Sequence, residues 1–324
     1  MGDKVILYRE ATKNWIHDIK MDSIKGLLAD GRQWRVEEYH FNFEREITAI
    51  DVKNKTITLN APIVMNLDKN YGGGAIYKYS FDGRINNIGI QNLRMVSSYK
   101  GPNDENHGWN AIIFKNAEHC WVNKVSSLYF GYSCVNIAYT SKNITVQNSS
   151  CLDAISIIMG GRRYSFNCNG QLNLFKNCVT RNGRHDYVTG GGVCGPNVFT
   201  NCSSTLAHSD SGPHHRWATG TLYDNIVTDG EINIQDRGPS GTGHGWAGAF
   251  QVFWNCTAKS MICQQPPMAL NWNIAPKTVQ GKPWIERPNS IWEGVGEKNV
   301  YPKSLYDAQV KERIRSGNHK PREN

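Results

Sequence analysis

Histidine, arginine and aspartate recur at short intervals between residues 162 and 244. Histidine titrates near neutral pH and can act as a base, and arginine can hold a carboxylate through two parallel hydrogen bonds. Together such groups can remove a proton from the carbon next to a carboxylate and stabilise the charge that develops there. The residues that we predict to act catalytically are His185, Asp186, His214, His215, Arg216 and Arg237. The residues that we predict to bind substrate are Arg162, Arg163, Arg184, His208, Asp210, Trp217, Asp236, His244 and Trp246.

The sequence His-x-aromatic occurs three times in this part of the chain, at residues 185–187, 215–217 and 244–246. Upstream, comparable phrases end on the aromatic residues Trp109, Tyr132 and Tyr164. A phrase that returns at such intervals is typical of solenoids and other repeat proteins. We therefore expect the aromatic residues to stack as a ladder on one flank, beside a column of histidine and arginine.

An asparagine that closes a short strand also recurs, at intervals of 24 to 31 residues. These intervals suit three short strands with tight turns, and no helical periodicity fills them. Asparagine suits the turn because it tolerates left-handed backbone and can bond a stacked neighbour. The pattern predicts an all-β fold, a parallel β-helix with an asparagine ladder. The ladder positions are Asn92, Asn123, Asn148, Asn177, Asn201, Asn225 and Asn255.

The asparagines set an expected register for the polar residues. Arg184 and Asp186 follow Asn177 by seven and nine residues, and residues 208 and 210 follow Asn201 by the same distances. We expect these two pairs to be stacked one coil apart.

Three regions follow from the distribution of the repeat. Residues 1–85 lack it and contain β-branched runs, so we predict an N-terminal β-rich segment that packs on the helix or caps it. Residues 86–290 form the predicted β-helix. Residues 291–324 comprise a C-terminal capping helix, with Ser304 as its N-cap, and a tail from 316 that we expect to be disordered.

Composition narrows the function classes. The 324 residues carry a net charge of +8, with basic residues that alternate with acidic ones, so nucleic-acid binding is disfavoured. No run of 18 apolar residues occurs, which predicts no transmembrane helix, and the start lacks the pattern of a signal peptide. We expect either a cytoplasmic protein or a chain trimmed at its N-terminus. The nine cysteines lack metal-site spacing and are expected to be free, buried thiols.

The asparagine ladder and the phrases at 212–218 and 243–249 resemble those of pectate-lyase-like, right-handed parallel β-helix proteins of bacteria, in particular large secreted members. The resemblance covers about residues 86–290 and implies a single-stranded right-handed β-helix, an extracellular or periplasmic location and an acidic polysaccharide as partner. The aspartate cluster and arginine base of pectate lyases, and the paired aspartates of polygalacturonases, are missing from their usual order. Catalytic residues are therefore assigned from this sequence alone.

The leading hypothesis is a polysaccharide lyase that cleaves a uronate-containing glycan by β-elimination, with an arginine clamp on the carboxylate and a histidine base. One alternative is a glycoside hydrolase that uses Asp186, Asp210 or Asp236. Another is a non-catalytic, glycan-binding or tailspike-like β-helix. No cofactor is assigned, and Asp186 and Asp210 are possible Ca²⁺ ligands. The sequence leaves a monomer and a homo-oligomer equally open.

Overall fold

In this computed structural model the described residues are 1–317, so the predicted tail lies, from residue 318 on, outside them. The N-terminal segment is a four-stranded antiparallel sheet of order β3-β2-β1-β4. Its elements are β1 (Lys4–Arg9), α1 (Lys13–Asp18), β2 (Phe41–Asp51), β3 (Thr56–Leu59) and β4 (Ala75–Lys78).

The rest of the chain winds through short strands that pair in parallel with the same strand of the next coil. These strands are β5 (Ile85–Asn86), β6 (Gly89–Val96), β7 (Asn110–Phe114), β8 (Ala117–Glu118), β9 (Trp121–Leu128), β10 (Ser133–Ile137), β11 (Thr145–Gln147), β12 (Ser150–Leu152), β13 (Phe166–Cys168), β14 (Leu174–Lys176), β15 (Val179–Arg181), β16 (Tyr187–Thr189), β17 (Asn197–Thr200), β18 (Ser203–Thr205), β19 (Asp210–Pro213), β20 (Ala218–Thr219), β21 (Thr221–Asp224), β22 (Val227–Thr228), β23 (Glu231–Ile234), β24 (Gly248–Ala249), β25 (Val252–Trp254), β26 (Ser260–Cys263), β27 (Trp272–Ile274) and β28 (Ile291–Glu293). A short helix, α2 (Ser240–Gly243), follows β23, and α3 (Leu305–Arg315) closes the chain. The predicted parallel β-helix is confirmed.

The asparagine ladder forms as predicted except at Asn123, which pairs with Gln147, so that Lys124 takes the left-handed turn position in that coil. Asn177 donates to the side-chain oxygen of Asn148 at 3.1 Å, and Asn255 donates to that of Asn225 at 2.6 Å. Asn225 in turn donates to Asn201 at 3.2 Å. These five residues have φ between 51° and 55°, the left-handed conformation that lets the strand turn a corner.

The ladder register is confirmed from Asn148 to Asn255, but the register taken from the His-x-aromatic phrase is wrong at residues 185–187. Val188 pairs with Gly212, and each lies eleven residues after its asparagine. Tyr187 therefore lies beside Ser211, whose hydroxyl accepts its N–H at 3.4 Å, and is displaced from the Trp217 position. The backbone N–H of Trp217 instead donates to the backbone carbonyl of Trp246 at 2.8 Å. The six aromatics thus do not form one column.

The interior of the coils is a continuous apolar core. Phe175, Phe199, Tyr223 and Phe253 stack along it with ring centroids 4.6 to 5.3 Å apart, one ring per coil. All nine cysteines are free and buried, as predicted. Because the coils stack in register, structurally equivalent residues of successive coils lie above each other, and each coil extends the same core.

The N-terminal segment packs against the side of the coils through a second core. Trp15 of α1 meets Trp217 edge-on at 5.2 Å, and the indole N–H of Trp246 donates to the carbonyl of Ile19 at 3.1 Å. Trp217 and Trp246 are each 2% exposed. Their predicted role as sugar-stacking residues is therefore incompatible with their position, because neither ring faces solvent.

Helix α3 begins at Ser304, as predicted, where the serine hydroxyl accepts the N–H of Asp307 at 3.1 Å. The same hydroxyl donates to Asp224 at 2.5 Å, and Lys176 pairs with Asp307 at 3.0 Å. These contacts hold the helix against the outer face of β14 and β21. Within residues 1–317, every helix is too short or too polar to cross a membrane.

Candidate functional site

Four successive coils bring one tyrosine and four histidines to the same flank. Tyr164 and His185 come shortly before β13 and β16, at equivalent points of neighbouring coils. His214 and His215 follow β19 directly, and His244 comes next after α2. The short connections at the ends of stacked strands thus assemble the cluster from residues up to 80 positions apart.

The rings are in mutual contact. Tyr164 lies 4.9 Å from His185 and 5.2 Å from His214, measured between ring centroids. His214 lies 4.4 Å from His185 and 5.0 Å from His244, which lies 5.0 Å from His215. We call these five residues the histidine cluster. His185 and His214 are buried, whereas Tyr164, His215 and His244 are partly exposed.

A buried ion pair underlies the cluster. Arg237 donates to both carboxylate oxygens of Asp210, at 2.8 and 3.3 Å, and each side chain is 3% exposed. His185 uses Nδ1 to donate to the backbone carbonyl of Asp210 at 2.8 Å. This bond fixes the proton on Nδ1 and leaves Nε2 as an acceptor, so the backbone of Asp210 sets the orientation of the ring.

Burial keeps the histidines neutral. It lowers the pKa of His185 and of His215 to about 4, and that of His244 to about 3, with the nearby arginine charges acting in the same direction. Burial likewise lowers the pKa of His214. At neutral pH each ring therefore retains one nitrogen lone pair, which a base needs. In contrast, the pKa of Asp210 is depressed because Arg237 and His185 outweigh the effect of burial.

The residue that sequence reasoning missed is Tyr164. Its phenol oxygen and Nε2 of His214 are 2.9 Å apart, so the two groups share a hydrogen bond. Burial raises the pKa of Tyr164, and the positive charges of Arg184 and Arg237 oppose that rise. Tyr164 also stacks on Tyr132 at 5.2 Å, which stacks on Trp109 at 6.3 Å. Its phrase, Arg-Arg-Tyr, contains no histidine, and only the stacked coils bring it beside His214.

The predicted arginines differ in how far they are engaged. Arg162 holds Glu105 through two hydrogen bonds, and Arg163 is buried on the backbone carbonyl of Ser156. Arg216 donates to Thr242, and its Nε is buried without a partner in the described chain. Arg184 is partly exposed and bonds the backbone carbonyl of Gly160, which leaves most of its donors for a ligand. Arg184 is therefore the best placed of the five to clamp a carboxylate.

The remaining predicted side chains lie away from the cluster. Asp186 is buried and accepts from Ser165 at 2.6 Å, and burial raises its pKa to about 6. Asp236 is paired with Arg287 at 2.7 Å. His208 is exposed and lies 2.6 Å from the side-chain oxygen of Asn182. Each has a local partner.

The carboxylates do not form the calcium site that the sequence allowed. Asp186 faces Ser165, whereas Asp210 faces Arg237, so the two cannot bind one ion. The potential ligand atoms of His185, Asp210 and His214 do lie within 4.8 Å of one another. However, both oxygens of Asp210 accept from Arg237, and the guanidinium charge opposes a cation there.

No family model and no curated protein sequence matches the chain. Among solved structures, the chain is similar to the tailspike protein gp49 from Pseudomonas phage LKA1, at 12% identity, 90% coverage of this chain and a TM-score of 0.34. The chain spans 56% of the length of that tailspike chain. The assignment to the parallel β-helix fold rests on the strand register and the asparagine ladder described above.

Proposed function

We propose that the protein binds an acidic glycan along the flank that carries the histidine cluster, and that it cleaves this glycan by β-elimination. The observation that carries the proposal is the hydrogen bond between Tyr164 and His214, in a cluster beside the underused Arg184. Such an activity also agrees with the resemblance of the sequence to pectate-lyase-like proteins. An extracellular or periplasmic location would follow from a polysaccharide substrate.

The reaction needs a cation on the substrate carboxylate, a base and an acid. Arg184 would neutralise the carboxylate, which makes the C–H bond beside it acidic. His214 is neutral because it is buried, so its Nε2 would accept the phenol proton of Tyr164 and would return it at the end of the cycle. Tyr164 would then take the proton from carbon. The electron pair forms the C=C bond, the bond to the glycosidic oxygen breaks, and Tyr164 returns the proton to that oxygen.

This assignment revises the histidine base that the sequence favoured. His185 is 0% exposed, so a substrate cannot reach its Nε2. Tyr164 is partly exposed and lies in contact with the same rings. A glycoside hydrolase is not proposed, because Asp186, Asp210 and Asp236 are buried and each is bound to a protein partner.

A second candidate is a glycan-binding β-helix that does not cleave. Most of the predicted arginines are already satisfied within the protein, which leaves few charges for catalysis. The row formed by Trp109, Tyr132 and Tyr164 is partly exposed, and such a row can pack against successive sugars.

A screen of polyuronides separates these functions. The near-ultraviolet absorbance of the new C=C bond is followed together with reducing ends and with binding by calorimetry. A lyase gives both signals, and Arg184→Met should then lose about 10²-fold or more in kcat/KM, whereas the control Arg162→Met, on an arginine already held by Glu105, should change little. Binding without either signal favours the non-cleaving role. If no polyuronide is bound or cleaved, the proposed substrate class is wrong.

A further inference from the structure

A cavity of about 60 Å³ lies between the N-terminal segment and the coils. Its walls include Trp15, Met65, Trp217, Phe250 and Met268, which makes them largely apolar and aromatic. The cavity is formed only because α1 and the loop before β4 pack on the side of the β-helix. It plays no part in the proposed cleavage.

One wall carries a buried arginine without a counter-charge. Arg9, at the end of β1, is 2% exposed, and its guanidinium lies 4.3 Å above the ring of Trp15. Its Nη1 is buried without a hydrogen-bond partner, and no acceptor within residues 1–317 takes any of its hydrogens. Burial lowers the pKa of Arg9 to about 10, so it remains charged at neutral pH. An unpaired buried charge is costly, which indicates that something supplies the missing acceptor.

A second unused donor lines the same cavity. The indole N–H of Trp217 is buried and has no acceptor in the described part of the chain. Its ring meets that of Trp15 edge-on at 5.2 Å, so Arg9 and Trp217 both border Trp15. These two donors, Arg9 Nη1 and the indole N–H of Trp217, border one cavity and favour a ligand with acceptor atoms.

The other polar groups of the cavity are already engaged. Asp68 is exposed at the rim and accepts the N–H of Asn70 at 2.8 Å. Tyr71 donates to Asp18 at 2.6 Å, and the amide of Asn66 donates to the carbonyl of Met268 at 3.1 Å. Solvent screens the charge of the exposed Asp68, whereas the side chain of Arg9 is buried in the cavity wall. The inner part of the cavity therefore favours an anion.

We propose that this cavity binds a small organic carboxylate with an apolar, ring-shaped body. The carboxylate oxygens would accept from Arg9 and from the indole of Trp217, and the body would pack among Trp15, Phe250 and the two methionines. A carboxylate supplies two acceptor oxygens and one negative charge, which matches two donors and one positive charge. A free sugar acid fits less well, because few polar groups remain to bond its hydroxyls.

The test is a titration of the full chain with phenylacetate at pH 7, followed by tryptophan fluorescence and by calorimetry. Trp15 and Trp217 line the cavity, so binding should change the emission. The neutral analogue phenylacetamide keeps the ring and loses the charge, and acetate keeps the charge and loses the ring. We expect each to bind about tenfold or more weakly than phenylacetate.

Variants assign the binding to this cavity. Arg9→Met should abolish the preference for the acid over the amide, and Trp217→Phe should weaken phenylacetate severalfold while the core stays filled. Arg94→Met, which removes an exposed charge from β6, is the matched control and should bind as the unaltered protein does. Equal affinity for acid and amide, or unchanged binding by a folded Arg9→Met chain, overturns the proposal. Absence of any binding at millimolar phenylacetate also overturns it.

Discussion

Replacing Asp210 by Asn should destabilise the protein strongly, because it strands a buried arginine. Arg237 and Asp210 are each 3% exposed and are joined by two hydrogen bonds of 2.8 and 3.3 Å. The asparagine keeps the shape and one acceptor but loses the charge, and Arg237 cannot turn to water. Breaking such a pair costs about 3–5 kcal/mol. The bond from His185 to the backbone carbonyl of residue 210 should survive, so the loss reports on the ion pair itself.

Asp236→Asn is the matched control within the same chain. Asp236 is equally buried, but the side chain of its partner Arg287 is 24% exposed. Arg287 can therefore regain water after the change, and the cost should be nearer about 1–3 kcal/mol. Guanidinium unfolding, followed by tryptophan fluorescence and circular dichroism, measures both variants against the unaltered protein. Equal costs for the two variants, or a cost below about 1 kcal/mol for Asp210→Asn, would show that burial of this pair is not decisive.

Three further predictions concern the ladder, the cluster and the C-terminal helix. Stability should fall as the pH drops from about 6.5 towards 4, because burial lowers the pKa of His185 in the folded chain to about 4 and the unfolded chain therefore binds the proton more tightly. Unfolding midpoints at pH 7.5 and 5.0 measure this, and His244→Gln should reduce the difference; equal midpoints would contradict it. Asn225→Ala should lower the free energy of unfolding more than Asn225→Gly does, since both lose the ladder bonds but only alanine is strained at φ 55°. Denaturant titration measures both variants, and a loss for Asn225→Gly equal to or above that for Asn225→Ala would contradict this explanation. Ser304→Ala should cost about 1 kcal/mol of local stability in α3, which hydrogen exchange would detect as faster exchange confined to residues 305–315.

The parts of the fold that the sequence predicted are those with local physical signals. Each ladder asparagine has a backbone preference for left-handed turns, and its regular return shows the size of a coil. The N-cap at Ser304 is likewise a local signal, in which a hydroxyl precedes a helical run. These signals survive folding because the groups that satisfy them are near in sequence or one coil away.

The parts that were missed depend on distant packing. The sequence contains nothing that places Trp15 against Trp217, so the burial of that indole under the N-terminal segment could not be foreseen. The phrase around His185 matched the later ones in residue type but not in position along the coil. Where two registers conflicted, the asparagines gave the right one, because they are fixed by backbone conformation. A histidine or an aromatic can occupy several positions of a turn.

Four of the predicted site residues, His185, His214, His215 and His244, lie together in the structure, and their function stays a prediction. Their grouping could be predicted because residue type and coil spacing both indicated the same flank. Side-chain direction changed the roles. Asp186 bonds to Ser165, whereas the ring of its neighbour His185 contacts His214. The stacking of neighbouring coils brings Tyr164 into the cluster, although the residues before it, Arg162 and Arg163, include no histidine.

The most direct test of the central claim is the turnover of Tyr164→Phe on a cleaved polyuronide, compared with Tyr132→Phe. Both changes remove one phenolic oxygen from the same stacked pair of rings, 5.2 Å apart, but only Tyr164 is bonded to His214. If Tyr164 is the base, its loss should lower kcat about 10²–10⁴-fold with little change in glycan affinity, and Tyr132→Phe should retain most of the activity. Equal, small effects of the two substitutions would contradict the assignment of Tyr164.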